Sequence, residues 1–211
     1  MDWHRWHESY ADPESELSQR LEMVRDQVRS ALDACPPGLI RVVSACAGQG
    51  DDLIGVLRDH PRRNDVAARL IELDERNAGV ARAAAAAAGL GAVQVIVADA
   101  GPTNHYRGMA PADLVLLCGV FGNISDEDIE RTVSIYCAQL CKPGGRVIWT
   151  RHRREPDMVP RICEWFEGND FAGVWLSEHG LDFGVGVHRY TGEPCDLELG
   201  GHMFTFMPSR Q

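Results

Sequence analysis

At 211 residues, 45% of them apolar and 25% charged, the chain has the size and make-up of one ordinary globular domain, which excludes a fibrous, collagen-like or wholly disordered protein. Thirty-one acidic against twenty-one basic residues leave a formal net charge of −10, a field that repels phosphate backbones and anionic lipid and argues against nucleic acid or a membrane as partner. No run reaches the roughly 18–20 apolar residues that span a bilayer, and the opening Met1-Asp2-Trp3-His4-Arg5-Trp6-His7 lacks the apolar core of a secretory signal, so a cytoplasmic protein is expected. The seven cysteines are odd in number and form no C-x-x-C pair, which predicts reduced thiols. Cys137 and Cys141 stand one helical turn apart, but no histidine at matching spacing completes a zinc set, and no metal is expected.

Without repeats, a Pro/Gly/Ser linker or a charged tail, the chain reads as one domain over 1–211, with an N-terminal helical extension over 1–36 and an α/β core over 37–211. Asp12-Pro13 has the form of an N-cap with proline at the first helical position, and Leu17, Leu21, Val24, Val28 and Leu32 then recur at helical steps until Pro36-Pro37-Gly38. Leu39 to Cys46 is a β-branched, mostly apolar run that stops at Gly48-Gln49-Gly50, which predicts a buried parallel strand entering a glycine turn. Helix over 51–60, strand over 67–73, helix over 75–88 and strand over 92–98 follow, an alternation that implies parallel strands with right-handed crossovers. A fourth strand over 113–118 precedes a loop and the helix start Ser125-Asp126-Glu127-Asp128, whose inner face is Ile129, Val133, Tyr136 and Leu140. Lys142-Pro143-Gly144-Gly145 breaks that helix before a fifth strand over 146–150, and a helix is expected near 157–168. Phe171 to Leu176, Phe183 to Tyr190 and His202 to Met207 are strand-like with no helix between them, so the sheet is expected to finish antiparallel.

In an open α/β sheet, ligands bind beyond the carboxyl ends of the strands, where the strand order reverses. Four features fall there. Ala47-Gly48-Gln49-Gly50-Asp51-Asp52 follows strand one, where small residues let backbone approach a ligand. Glu72 closes strand two at the spacing of a carboxylate that accepts both hydroxyls of a ribose. Asp99-Ala100 after strand three offers a carboxylate to an exocyclic amine. Cys118-Gly119-Val120-Phe121-Gly122-Asn123 after strand four is a glycine-punctuated loop whose aromatic is expected to lie along a base or substrate. Taken singly, each has a bland alternative: a tight connection, a solvated acid, a helix cap.

In that order the four features resemble the class I S-adenosylmethionine-dependent methyltransferases over about residues 39–207, most closely at Val43 to Gly50, Glu72, Asp99-Ala100 and the turn Leu140-Cys141-Lys142-Pro143-Gly144-Gly145. The resemblance implies a Rossmann-like, doubly wound, mostly parallel sheet with an antiparallel C-terminal hairpin, and S-adenosylmethionine as cofactor. It implies that Ser44, Ala47, Gly48, Gly50 and Gly119 border the cofactor, that Gly48 and Gly50 sit against its methionine part, that Glu72 holds the ribose, and that Asp99 with the Ala100 amide holds the adenine. The chain departs from the family at Ser44, where an acid is usual, and at Cys46, where the first glycine is usual; Arg20 or Asp51 is expected to contribute to the amino-acid end instead. No Asn-Pro-Pro-Tyr or Asp-Pro-Pro-Tyr follows strand four, which with the acidic charge favours a small-molecule methyl acceptor.

Methyl transfer from a sulfonium asks the protein to align the acceptor and, where needed, to take its proton. Candidate bases are His152, directly after strand five, then Tyr10 and His7 in the N-terminal extension, and His188. Arg151, Arg153 and Arg154 around His152 form a basic cluster suited to an acceptor carboxylate or phosphate; a solvated face answering Glu155 and Asp157 is the alternative. Trp3, Trp6, Tyr10 and Phe121 are candidates for an aromatic lid. A non-catalytic S-adenosylmethionine-binding protein and an NAD(P)-dependent oxidoreductase stand as alternatives, the latter wanting a glycine at position 53, which is Leu53. The acceptor and the oligomeric state are left open.

Overall fold

The first helix, α1, spans Glu16–Asp33 in a computed structural model that describes residues 15–207. Its cap is Ser15, whose hydroxyl accepts the Ser18 N–H at 3.1 Å; the cap expected from Asp12-Pro13 lies outside the described residues. The apolar stripe divides along its length. Val28 and Leu32 are fully buried in the core, whereas Leu17 and Leu21, only half-buried, border a cavity. At the other end Arg62 closes the helix: its guanidinium donates to the carbonyls of Leu32, Cys35, Pro36 and Gly38 and pairs with Asp65 at 3.0 Å. Carbonyls that a helix end leaves without partners are thereby satisfied.

Strands β1 (Ile40–Ala45), β2 (Val66–Glu72), β3 (Val93–Val97), β4 (Ala112–Leu117) and β5 (Cys141–His152) run parallel. β6 (Phe171–Leu176) and β7 (Phe183–Tyr190) form a hairpin whose second strand lies antiparallel to β5. The sheet order is β3-β2-β1-β4-β5-β7-β6, so the direction of winding reverses between β1 and β4. Side-chain alternation assigns the two faces. Val42, Leu114 and Leu116 pack under α1, α2 (Leu53–Leu57) and α3 (Glu75–Ala87); Val43, Val115 and Leu117 pack against the helices on the opposite face. Those are α4 (Asp126–Arg131), continued through a π-helical turn over Thr132–Tyr136 into α5 (Cys137–Leu140), and α6 (Val159–Glu167). The expected inner face, Ile129, Val133, Tyr136 and Leu140, is buried throughout.

Two expectations are corrected. Lys142-Pro143-Gly144-Gly145 does not separate helix from strand but is drawn into β5 as an irregularity: Ala112 pairs with Cys141 and Leu114 with Arg146. Gly144 takes the left-handed conformation (φ +82°), and a Cβ on Gly145 would come within 2.9 Å of the Ala112 carbonyl. Residues 202–207 are not a strand. Among the described residues they form one β-bridge, Pro102–His202, and cross the strand tips as a strap, with Met203 N–H on Gly101 O, Thr205 N–H on the Asp128 carboxylate and Met207 N–H on Asn123 O. Met203 and Phe204, consecutive in sequence, are both buried, a pattern that a half-exposed strand does not give. Among the described residues no helix is long and apolar enough to cross a membrane.

Removing the Arg62 guanidinium strands several carbonyls at once. Arg62→Ala is expected to lower the free energy of unfolding by about 3 kcal/mol, read from urea titrations; a change within 0.5 kcal/mol would show that water replaces it.

Candidate active site

A cavity of about 970 Å³ opens over the carboxyl ends of β1 to β5, around the reversal between β1 and β4. At the roughly 4.8 Å spacing of neighbouring strands, the tips from β3 to β5 extend over about 19 Å, and the chemistry changes in step with them. Asp99 follows β3, Glu72 ends β2, the Cys46–Gln49 turn follows β1, Cys118-Gly119 follows β4, and Thr150, Arg151 and His152 end β5; all border the cavity. The first helix roofs it with Leu17, Arg20 and Leu21, and the strap adds Phe206 and Met207.

Glu72 is nearly buried, and both its oxygens are oriented by backbone: Oε2 accepts the Gly48 N–H and Oε1 the Asp74 N–H, each at 2.8 Å. A carboxylate has about four lone-pair sites, so one remains on each oxygen toward the cavity. Gly48 itself is left-handed (φ +57°), the conformation that turns its N–H onto Glu72. Asp99 is exposed and caps the next turn, accepting the Gly101 N–H at 2.9 Å, while Ala100 is buried with its carbonyl on the Tyr106 hydroxyl. Beyond β1, the Cys46 thiol is pushed well up, first by burial and then by the charges of Glu72 and Asp99, so it stays protonated. Gly119, also left-handed, donates to Thr150 Oγ1 at 2.8 Å and receives Asn123 Nδ2 at 2.7 Å, which ties the β4 loop to the end of β5.

Not every anticipated residue reaches the cavity. Ser44 is buried in mid-sheet, in register with Leu70 and Leu116, and Gly50 faces the core, where a Cβ would meet Ile54 at 2.6 Å and Leu70 at 2.9 Å. Phe121 is fully buried against Trp149, its ring centroid 6.0 Å away, and walls nothing; Phe206 has that position instead. Residues Trp3, Trp6, His7 and Tyr10 lie outside the described residues. His188 sits in the middle of β7, accepts Trp149 Nε1–H at 3.0 Å and stacks on Phe166; burial lowers its pKa to about 4, so it is a neutral core acceptor rather than a base. Arg153 turns from the cavity to pair with Asp157 at 2.9 Å.

His152 does border the cavity. Its Nδ1 is enclosed without a hydrogen-bond partner among the described residues, and its pKa is lowered by burial and then by the charges of Arg151 and Arg154. The imidazole is therefore neutral near pH 7. Arg151, its side chain 10% exposed, donates to the Phe121 carbonyl and lies 3.9 Å from Asp126, whereas Arg154 is exposed at the cavity rim.

Sequence reasoning passed over one acid. Asp52 is 8% exposed, borders the cavity and accepts the Leu53 N–H at 2.7 Å; burial raises its pKa from 3.8 to about 6. The Asp51-Asp52 pair read as a helix start, and only the tertiary packing distinguishes the buried acid from its neighbour.

Solved structures share this fold. The magnesium protoporphyrin IX methyltransferase of Synechocystis PCC 6803, crystallised with bound SAM, superposes with a TM-score of 0.65 at 15% identity, covering 90% of this chain and 91% of that one. An O-methyltransferase family protein from Burkholderia thailandensis gives 0.65 at 19% identity, over 83% of this chain and 56% of its own. The fold is that of the class I methyltransferases. The [4+2]-cyclase SpnF shares it as well, with a TM-score of 0.60 at 14% identity over 85% of each chain. The present chain spans 56% of the length of the Burkholderia protein and 48% of TrmN from Thermus thermophilus. No protein-family model and no curated protein sequence matches the chain.

A carboxyl whose folded pKa exceeds its unfolded value adds stability only when protonated, so this contribution is present below about pH 4 and lost as pH rises through about 6. Ionised Asp52 therefore costs roughly 3 kcal/mol near neutrality. Asp52→Asn keeps an acceptor for Leu53 N–H and is expected to be about 2–3 kcal/mol more stable than wild type at pH 7.5. That gain should shrink toward zero at pH 4 in urea titrations; a gain independent of pH would refute the assignment.

Proposed function

We propose that this protein is an S-adenosylmethionine-dependent methyltransferase acting on a small molecule that carries a carboxylate or phosphate. The observation that carries the reading is the order of groups along the strand tips: an acid beyond β3, a doubly oriented carboxylate ending β2, a left-handed glycine turn after β1, and a neutral imidazole with arginines ending β5, all on one cavity. The donor set fits the cofactor. Glu72 would accept both ribose hydroxyls, Asp99 the adenine amine, with the Ala100 backbone beside it; Ala47, Gly48 and Gly119 would let the chain approach closely. Bound there, S-adenosylmethionine supplies a methyl group already activated on a sulfonium.

The protein's own residues would do the rest. His152, held neutral by burial and by flanking positive charge, would take the acceptor's proton at the ring nitrogen left after Nδ1 is enclosed. Arg154 would draw the acceptor's anionic group to the rim, with Arg151 fixing the β4 loop through Phe121. Leu17, Leu21 and Phe206 would exclude water above. The cavity volume is at the upper end of the usual range for ligand pockets, which leaves room for an acceptor beside the cofactor. The dinucleotide alternative fares worse: position 53 is a fully buried leucine, and β7 enters antiparallel between β5 and β6.

Titration calorimetry with S-adenosylhomocysteine is expected to give micromolar binding and none with NAD or NADP. Glu72→Gln, which puts an amide donor opposite ribose hydroxyls, is expected to weaken that binding roughly 10–100-fold. Absence of binding by the wild type would end the proposal.

With an acceptor recovered by methyl labelling of a metabolite extract, the rate is expected to fall on acidification with an apparent pKa below 6.5, the ordinary imidazole value. His152→Ala is expected to cost roughly 10²–10⁴ in kcat, while Arg154→Ala raises KM and leaves S-adenosylhomocysteine affinity alone. An unchanged kcat in the first variant would remove His152 from the chemistry.

A further inference from the structure

Ser44 cannot meet the cavity from mid-sheet, yet a buried carboxylate does border it a few residues on. We infer that Asp52 is the counter-charge for the cofactor's ammonium group, in a binding mode that moves recognition of the amino-acid tail from the end of β1 to the start of α2. The inference rests on the proposed cofactor, and deepens it.

The argument starts from placement. With adenine assigned to the tip of β3 and ribose to the tip of β2, a ligand running along the cavity reaches the β1–β4 reversal with its remaining end. Asp52 stands at that point: its charge and that of Arg20 both act on the thiol of Cys118, which follows β4. Asp52 is more than nine-tenths buried, and no ion-pair partner lies within 4 Å of it among the described residues. The hydrogen bonds it accepts come from the backbone N–H groups of Leu53, at 2.7 Å, and of Asp52 itself, both neutral donors. A carboxylate so enclosed is costly when ionised and becomes favourable only when a cation joins it. The amino-acid tail of S-adenosylmethionine brings an ammonium, and Arg20 on α1, which borders the same cavity and acts on the same Cys118 thiol, would offer a cation to the tail's carboxylate. The charged groups acting on Asp52 are Asp51, which opposes its ionisation, and Arg25, which favours it while donating to the Asp51 carbonyl at 2.8 Å. Cys118, protonated, adds no charge.

The test compares two ligands that differ only in the tail: S-adenosylhomocysteine, and 5′-methylthioadenosine, which keeps the adenosine and sulfur but has neither ammonium nor carboxylate. Asp52→Asn is expected to weaken S-adenosylhomocysteine at least tenfold while changing 5′-methylthioadenosine less than twofold, the retained binding also reporting an intact fold. Asp51→Asn is expected to change neither by more than twofold. Near pH 6, calorimetry in buffers of different ionisation enthalpy is expected to record proton release on S-adenosylhomocysteine binding to the wild type and to Asp51→Asn, and none to Asp52→Asn. Equal loss for both ligands, no loss for either, or a tail-dependent loss in Asp51→Asn alone would overturn the assignment while the cofactor reading stands. Failure of the wild type to bind either ligand would remove the cofactor reading itself.

Discussion

The carboxylate of Glu72 ties together three parts of the chain that the pairing of β1 with β2 brings side by side. It ends β2, accepts from the left-handed turn after β1 and accepts again from its own loop before α3. Because both bonds come from backbone amides, the carboxylate plane is set by the sheet itself rather than by flexible side chains. The floor of the cavity is as rigid as the parallel ladder beneath it, and whatever binds there meets acceptors that need no rearrangement.

From that floor the cavity separates charge along its length. Acids stand beyond β3, β2 and β1; arginines and a neutral imidazole stand beyond β5. The chain carries an overall charge of −10, so its basic corner is a local exception. In a partly desolvated site, opposite charges act over longer distances than in water. A ligand with a positive centre and an anionic partner would be drawn to opposite halves, which suits a reaction between a sulfonium donor and an acidic acceptor. Keeping Asp52 ionised works against stability, the pattern expected where a fold gives up free energy to keep a site ready for its ligand.

Much of this was legible in the sequence because the relevant signals are local. The alternation of apolar runs with glycine turns located all five parallel strands to within a residue or two at most ends, and the acids at positions 72 and 99 fall at the strand tips by simple counting. What stayed hidden depends on packing at a distance. Asp51 and Asp52 are indistinguishable in sequence; both border the cavity, but one is half-exposed and the other, the N-cap of α2, is enclosed by the packing around it. Arg153 and Arg154 differ in the same way, the first claimed by Asp157 and the second left at the rim. The strap over 202–207 alternates enough to read as a strand, but its backbone bonds go to loops and to the α4 helix and the turn after it rather than to a sheet edge. His188 could be placed only once β7 was seen to pair with β5 in mid-strand.

The division of the apolar stripe on α1 has a consequence for how such a protein diverges. The last turns of the helix, through Val28 and Leu32, serve the foundation, whereas the first turns, through Leu17 and Leu21, border the cavity. Selection for a different occupant of the cavity would rewrite the front of this helix while its rear stays unchanged, so that one continuous element would evolve at two speeds.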